Sequence, residues 1–373
     1  MHSSLTYKKL FSALTIISLC LFFQIGILRN GSIPEDLVVY FNSSHWVYGP
    51  GTLYREVPSE YPLLANLIFS LVRLFTFNRD QTPIVFSLIW VGINAILLVG
   101  IVSAVIQMTK SQGKSDWIFI LASWLLPSTI YFALFRYDIY PAATSLLMMW
   151  SFRNEKWGAA SLWLGITIAL KGYAIFLLPT LFIYLHYKVN FKYAIKMVTI
   201  ALIPFVLSLI ATASFSGIEG MISPFKFHAI REINSDSVYQ LFRFCCAPNL
   251  KAANIPFIPL ALQIFCSLIT IFFRPRDFQG LINCFAFVIL GFISFSIFYS
   301  PQFLLWVLPI LCFSKSKLIL KTLYAYSLIT LGYLLFLAYP TLIIFEALIT
   351  FLSIIRFYLM WILASETLKL KLL

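Results

Sequence analysis

The side chains able to do chemistry in this 373-residue chain fall in five short segments between apolar runs. Residues 29–65 hold Glu35, Asp36, Glu56 and Glu60 among Tyr40, Tyr48, Tyr54, Tyr61, His45 and Trp46. A carboxylate among aromatic rings can act as general base toward a sugar hydroxyl, and the rings can stack on pyranose faces. The same composition also describes a solvated loop with an aromatic belt at headgroup level. In FRYDIYPAA, Arg136 and Asp138 stand between apolar runs, either as a pair that caps short helices or as part of a site. Lys171 is isolated in ITIALKGYAIFLLP. A lysine there is costly unless it meets water, an anion or a carboxylate. A phosphate ligand and an ion-pair partner, with Asp138 the candidate, describe it equally well.

The fourth segment, KFHAIREINSDSVYQLFRF, is expected to bring His228, Arg231 and Asp236 near a helix start, where anions bind. An amphipathic helix on a membrane surface is the plainer description. The fifth, YSPQFLLWVLP, sets Ser300, Pro301 and Gln302 at the mouth of an apolar run, with proline at the favoured first turn. Glu346 and Arg356 lie inside late apolar runs and receive no chemical role. Walker A, HExxH, paired CxxC and GxSxG motifs are absent, which removes the common nucleotide, zinc and serine-hydrolase classes. Cys20, Cys266, Cys284 and Cys312 sit in apolar runs as small hydrophobes. The neighbours Cys245 and Cys246 make a poor disulfide framework or zinc site.

The elements that must position these residues are set by composition. Hydrophobic residues make up 61% of the chain and charged residues 11%, with a mean hydropathy of +0.90. Soluble domains carry about 25% charge. In lipid the backbone must satisfy itself, as helices or as a closed barrel, and apolar runs of ~15–25 residues without alternation select helices. The expected fold is all-α: a polytopic transmembrane helix bundle of about 11–13 spans, forming one integral membrane domain over residues 1–373. Spans are expected near 10–28, 83–107, 117–134, 141–152, 157–170, 173–187, 195–214, 255–273, 278–297, 302–314, 322–341 and 343–364. The first is read as retained, since no small-residue cleavage pattern follows it. Segment 61–77 is expected to lie at the interface. The net charge of +13 resides mostly in Lys/Arg clusters between the runs, which fits the positive-inside rule better than nucleic-acid binding. Those clusters share one side only if 61–77 does not cross. Both termini are then cytoplasmic, and residues 29–82 and 215–253 form two long extracytoplasmic loops.

The ordered segments resemble membrane glycosyltransferases of the GT-C class, most closely the bacterial polyprenol-phosphate-mannose-dependent α-mannosyltransferase-like family. Asp36-Leu-Val-Val-Tyr40 looks like its D-x-x-x-Y, Glu60-Tyr61-Pro62-Leu63 its E-Y-P-P, and Ala169-Leu170-Lys171-Gly172-Tyr173 its A-x-K-x-Y/P. Residues Arg231–Ser237 look like its R-G-x-Q-x-E-S, with Glu232, Asn234 and Asp236 as departures. Ser300-Pro301-Gln302 through Trp306 looks like its S-P-Q-Y-L-L-W, with Phe303 for tyrosine. The resemblance implies a GT-C-like bundle in a prokaryotic plasma membrane. Its donor would be a polyprenyl-phosphate-linked hexose, mannose foremost, and its acceptor a lipid-linked or surface glycan outside the cell. Transfer would invert the anomeric centre. Asp36 is the implied general base, with its neighbour Glu35 as the other choice. Lys171, Arg231 and Arg136 would bind the donor phosphate; Glu60, Tyr61, Asp138, His228, Asp236 and Gln302 would position sugar and acceptor. A lipid monophosphate donor has no diphosphate to chelate, so neither metal nor other cofactor is expected; a diphosphate donor would call for one, held by acids such as Asp36 and Asp138. Membrane lipids are expected partners and nucleic acid is not. A lipid or glycan transporter of the flippase class is the alternative, favoured by Lys171, Glu346 and Arg356 in apolar runs. A scaffold in an envelope assembly is a third.

Overall fold

The computed structural model describes residues 34–76, 83–110, 117–229, 231–234, 237–246, 249, 251–252, 255, 257–337 and 345–372. The expected span at 10–28 and Asp236 lie outside the described residues. Among those described, the chain is all-helical; the β-bridge between Leu53 and Val57 is isolated and builds no strand. The helices are α1 (Glu35–Ser43), α2 (Leu63–Leu74), α3 (Pro83–Lys110), α4 (Trp117–Leu125), α5 (Pro127–Phe135), α6 (Ile139–Arg153), α7 (Trp157–Leu170) and α8 (Leu178–Lys188). They continue with α9 (Phe191–Ala229), α10 (Val238–Cys245), α11 (Ile258–Phe273), α12 (Phe278–Ser294), α13 (Leu304–Leu311), α14 (Lys317–Leu337) and α15 (Phe345–Leu372).

Among the described residues, two helices are long and apolar enough to cross a membrane. They are α3 over Pro83–Met108 and α9 over Phe191–Ala229; the bent pair α4–α5 makes a third if it counts as one span. Their outward faces are apolar too. Ile203, Val206, Leu207, Ile210 and Ile218 of α9 are all exposed, as are Leu260, Phe265, Leu268 and Phe272 of α11. Apolar surface of this extent needs a nonaqueous neighbour, which is the build of a membrane protein.

Several expected spans are short or interrupted. The run expected at 117–134 breaks at Pro127, where the chain bends 55°. Proline has no N–H to donate and drives Leu126 out of the helical region, to φ −62°, ψ 140°. Residues 173–187 begin as a 3₁₀ turn, Gly172–Leu177, and become α8 where Pro179 favours a fresh start. Helix α2 has twelve residues and rises only about 18 Å, short of a ~30 Å hydrocarbon core.

The long loop expected from 215 starts as helix instead, because α9 continues to Ala229. It does so across a break at Gly217, whose φ of 72° and ψ of 179° suit glycine and strain any other residue. Helices α7 and α9 touch closely at Gly165. A side chain added there would put its Cβ 2.4 Å from the Ala201 carbonyl oxygen.

Candidate functional site

Helix α1 sets the first carboxylate. Asp36 and Tyr40 are four residues apart and share a face. Tyr40 is fully buried; its hydroxyl accepts from the Tyr137 backbone N–H at 3.3 Å, and its ring stacks on Phe69 at 4.5 Å. That anchor carries Asp36, one turn earlier, onto Arg136, with which it forms an ion pair. Glu35 points to solvent. Of the two neighbouring acids, Asp36 makes the direct ion pair with Arg136, while Glu35 acts on it at longer range.

Arg136 does not pair with Asp138, as the short-helix-cap expectation had it. Arg136 is extended after α5, whereas Asp138 already starts α6, so the two side chains diverge to other partners. Asp138 is fully buried. Its Oδ1 accepts from Lys171 Nζ at 2.5 Å and from Trp306 Nε1 at 2.6 Å, while Oδ2 is buried without a partner. Lys171 terminates α7 in extended backbone, φ −153°, ψ 111°, which frees its side chain to cross to α6. The ammonium lies 4.4 Å from the Tyr137 ring centre, 4.8 Å from Trp306 and 5.8 Å from Phe303. Trp306 is clamped between Tyr173 at 4.1 Å and Phe303 at 3.9 Å. The lysine thus sits in an aromatic box whose quadrupoles favour its charge.

The third pair comes from the loops. Ser216, beside the Gly217 break, donates to the Leu53 carbonyl and ties α9 to the first loop. From there Arg231 reaches Glu60, with NH1 to Oε2 at 3.6 Å and the guanidinium 3.5 Å over the Phe298 ring. Burial pushes the Tyr61 phenol well above its usual range, so it remains a hydroxyl donor. Its ring packs edge-on against Tyr40, Tyr137 and Phe69. His228 is exposed and lies near Glu60 and Arg231, in the last turn of α9 rather than near a helix start. The start that follows belongs to Ser237, whose hydroxyl accepts from Gln240 N–H. Gln302 is buried with Oε1 unpartnered, one residue before Phe303.

Two asparagines that the sequence reading assigned no role hold this arrangement. Asn66, fully buried, donates to the Tyr61 and Pro62 carbonyls and to Tyr54 Oη, and accepts from Ser59, which fixes the Glu60-Tyr61-Pro62 turn. Asn234 donates to the Tyr299 carbonyl at 2.5 Å and accepts from its N–H at 3.1 Å, joining the fourth segment to the fifth. Glu56, in contrast, serves its own turn: the Thr52 N–H bond at 2.6 Å holds its carboxyl below the usual range.

Three carboxylates, Asp36, Glu60 and Asp138, therefore face three cations, Arg136, Lys171 and Arg231. An apolar groove of about 480 Å³ lies between α2, α3, α6 and α7; its wall includes Leu64, Ile68, Ile96, Tyr140 and Leu170. Tyr140 and Leu170 lie within two residues of Asp138 and Lys171. Among the described residues, no three His, Cys, Asp or Glu side chains are grouped as a metal site would need. No family model, curated protein or solved structure matches this chain.

Proposed function

We propose that this chain is a polytopic membrane glycosyltransferase. It transfers a hexose, mannose foremost, from a polyprenyl-phosphate donor to a lipid-linked or surface glycan outside a prokaryotic plasma membrane. The observation that carries the reading is the convergence of Asp36, Glu60, Arg136, Asp138, Lys171 and Arg231 from distant parts of the chain, beside aromatic rings and in a bundle that also holds an apolar groove. A sugar needs the rings and carboxylates, a phosphate needs the cations, and an isoprenoid tail needs the groove.

The chemistry follows from the charge balance. With three acids against three cations, an arriving phosphodiester competes for a cation already engaged. Arg231 and Arg136 are the more accessible, with side chains 29% and 23% exposed, and Asp36 is as open as its partner (23%). As Arg136 turns to the phosphate, the Asp36 carboxylate is released toward the acceptor. The acceptor oxygen bonds to the anomeric carbon, the bond from that carbon to the phosphate oxygen breaks, and the acceptor proton passes to Asp36. The leaving lipid monophosphate keeps the bonding pair, and Arg136, Arg231 and Lys171 stabilise its charge. Attack opposite the leaving group inverts the centre.

The test uses purified full-length protein with radiolabelled polyprenyl-phosphate hexose and total membrane lipids as acceptors. Transfer should occur, vanish in Asp36→Asn at unchanged expression, and survive in Glu35→Gln. Full transfer by Asp36→Asn would refute the base assignment. Donor movement across vesicles without transfer would favour the transporter.

A further inference from the structure

The opposite end of the bundle carries a second charged constellation. Lys188 ends α8, and Lys192 and Lys196 lie in the first turns of α9. The turn after α11 adds Arg274 and Arg276, whose guanidiniums lie 5.9 and 5.8 Å from the Tyr187 ring centre. Tyr187, the residue before Lys188, thereby holds both arginines of that turn against the end of α8. The acids nearby are committed: Glu155 pairs with Lys188 at 3.2 Å, and Asp277 caps the Gly280 N–H. A concavity of about 510 Å³ opens there, with Phe191, Lys192 and Lys196 in its wall.

What borders the charge identifies the occupant. Phe191 is 53% exposed, and Val189 and Ile195 are exposed with it. A water-soluble anion has no use for bare apolar side chains, whereas a lipid presents phosphate and acyl chain together. The depth agrees. From Lys171 to this face the chain runs through six 3₁₀ and eleven α-helical residues, about 28 Å if straight, close to a ~30 Å hydrocarbon core.

We propose that this face binds the headgroup of an anionic phospholipid at the leaflet opposite the candidate active site. The apolar border seats the upper acyl chain and Lys192, Lys196, Arg274 and Arg276 hold the phosphate. The proposal rests on the membrane-embedded reading and is independent of glycosyl transfer. Each cation near such a surface changes affinity about fivefold.

Native mass spectrometry of the full chain in detergent, with phosphatidylglycerol or phosphatidylcholine added, tests it. Wild type should retain phosphatidylglycerol under activation that strips phosphatidylcholine. Lys192→Gln/Lys196→Gln/Arg276→Gln should weaken that retention on the order of 100-fold. The corresponding Lys192→Arg/Lys196→Arg variant should keep it, as should Arg55→Gln at the other end. Equal retention of both lipids by wild type, or undiminished retention by the glutamine variant, overturns the proposal. Displacement of phosphatidylglycerol by equimolar inorganic phosphate overturns the lipid assignment. Cysteines at Arg55 and Lys192 should label from opposite sides; labelling from one side overturns the leaflet assignment while leaving the transfer assay unaffected.

Discussion

Lys171→Met removes the cation bonded to Asp138. At a separation of 2.5 Å and an effective dielectric of about 20, the gross attraction is about 6–7 kcal/mol. Desolvation of both groups offsets much of it, so the measurable effect is the charge left behind. Asp138 has no exposed side-chain surface and would keep only the Trp306 N–H, while Lys171 is 18% exposed. Breaking a buried pair from one side costs about 3–5 kcal/mol. Asp138→Asn should cost a similar amount by orphaning the lysine. The double variant buries no lone charge and should be more stable than either single one, with a coupling energy of at least about 2 kcal/mol. The assay is reversible unfolding in mixed micelles titrated with a denaturing detergent and followed by tryptophan fluorescence. Additive effects, or single variants that lose under about 1 kcal/mol, would refute the account of the pair.

Gly165→Leu should lower stability by about 1–3 kcal/mol or more by forcing α7 off the Ala201 carbonyl, read as a drop in melting temperature. Gly158→Ala, which meets nothing within 4 Å, is its neutral control. Asn66→Ala should cost about 1–3 kcal/mol through the carbonyls it leaves unpaired, and should lower transfer as the Glu60 turn loosens. Glu56 has a depressed carboxyl pKa, so its contribution is present above the unfolded value and lost as pH falls through the folded one. Limited proteolysis of the 52–57 turn should accelerate over that range in wild type and show no such step in Glu56→Gln.

How much was legible depended on whether the governing signal was local. Apolar runs announced helices throughout, and Pro127 announced a break that reading 117–134 as one span passed over. The start of α10 was also written in the chain, since Ser237 and Gln240 have capping-box spacing. Reading that start too near His228 missed the continuation of α9 across Gly217. The polar segments could be picked out because charge is scarce in so apolar a chain. Their pairings were legible only in part: Asp138 stood as a candidate partner for Lys171, as it proves to be, but it stood equally as a partner for Arg136, and the choice depends on helix rotation and on a backbone that turns extended at Arg136. The bonds made by Trp306 and Asn66 were hidden for a related reason. A tryptophan or asparagine in an apolar run looks the same whether it fills space or ties distant loops together.

The Asp138–Lys171 bond joins α6 to α7, consecutive helices of one hairpin, whereas Trp306 is supplied by α13. During synthesis the carboxylate and the ammonium therefore emerge only 33 residues apart, long before the indole exists. Either charge alone, carried past the hydrocarbon centre on its way to the far end of the hairpin, would meet a cost of about 2.5–3.5 kcal/mol. As a hairpin they can enter lipid already neutralising each other. The order of translation thus shields the most deeply buried acid of the site until its last partner is made.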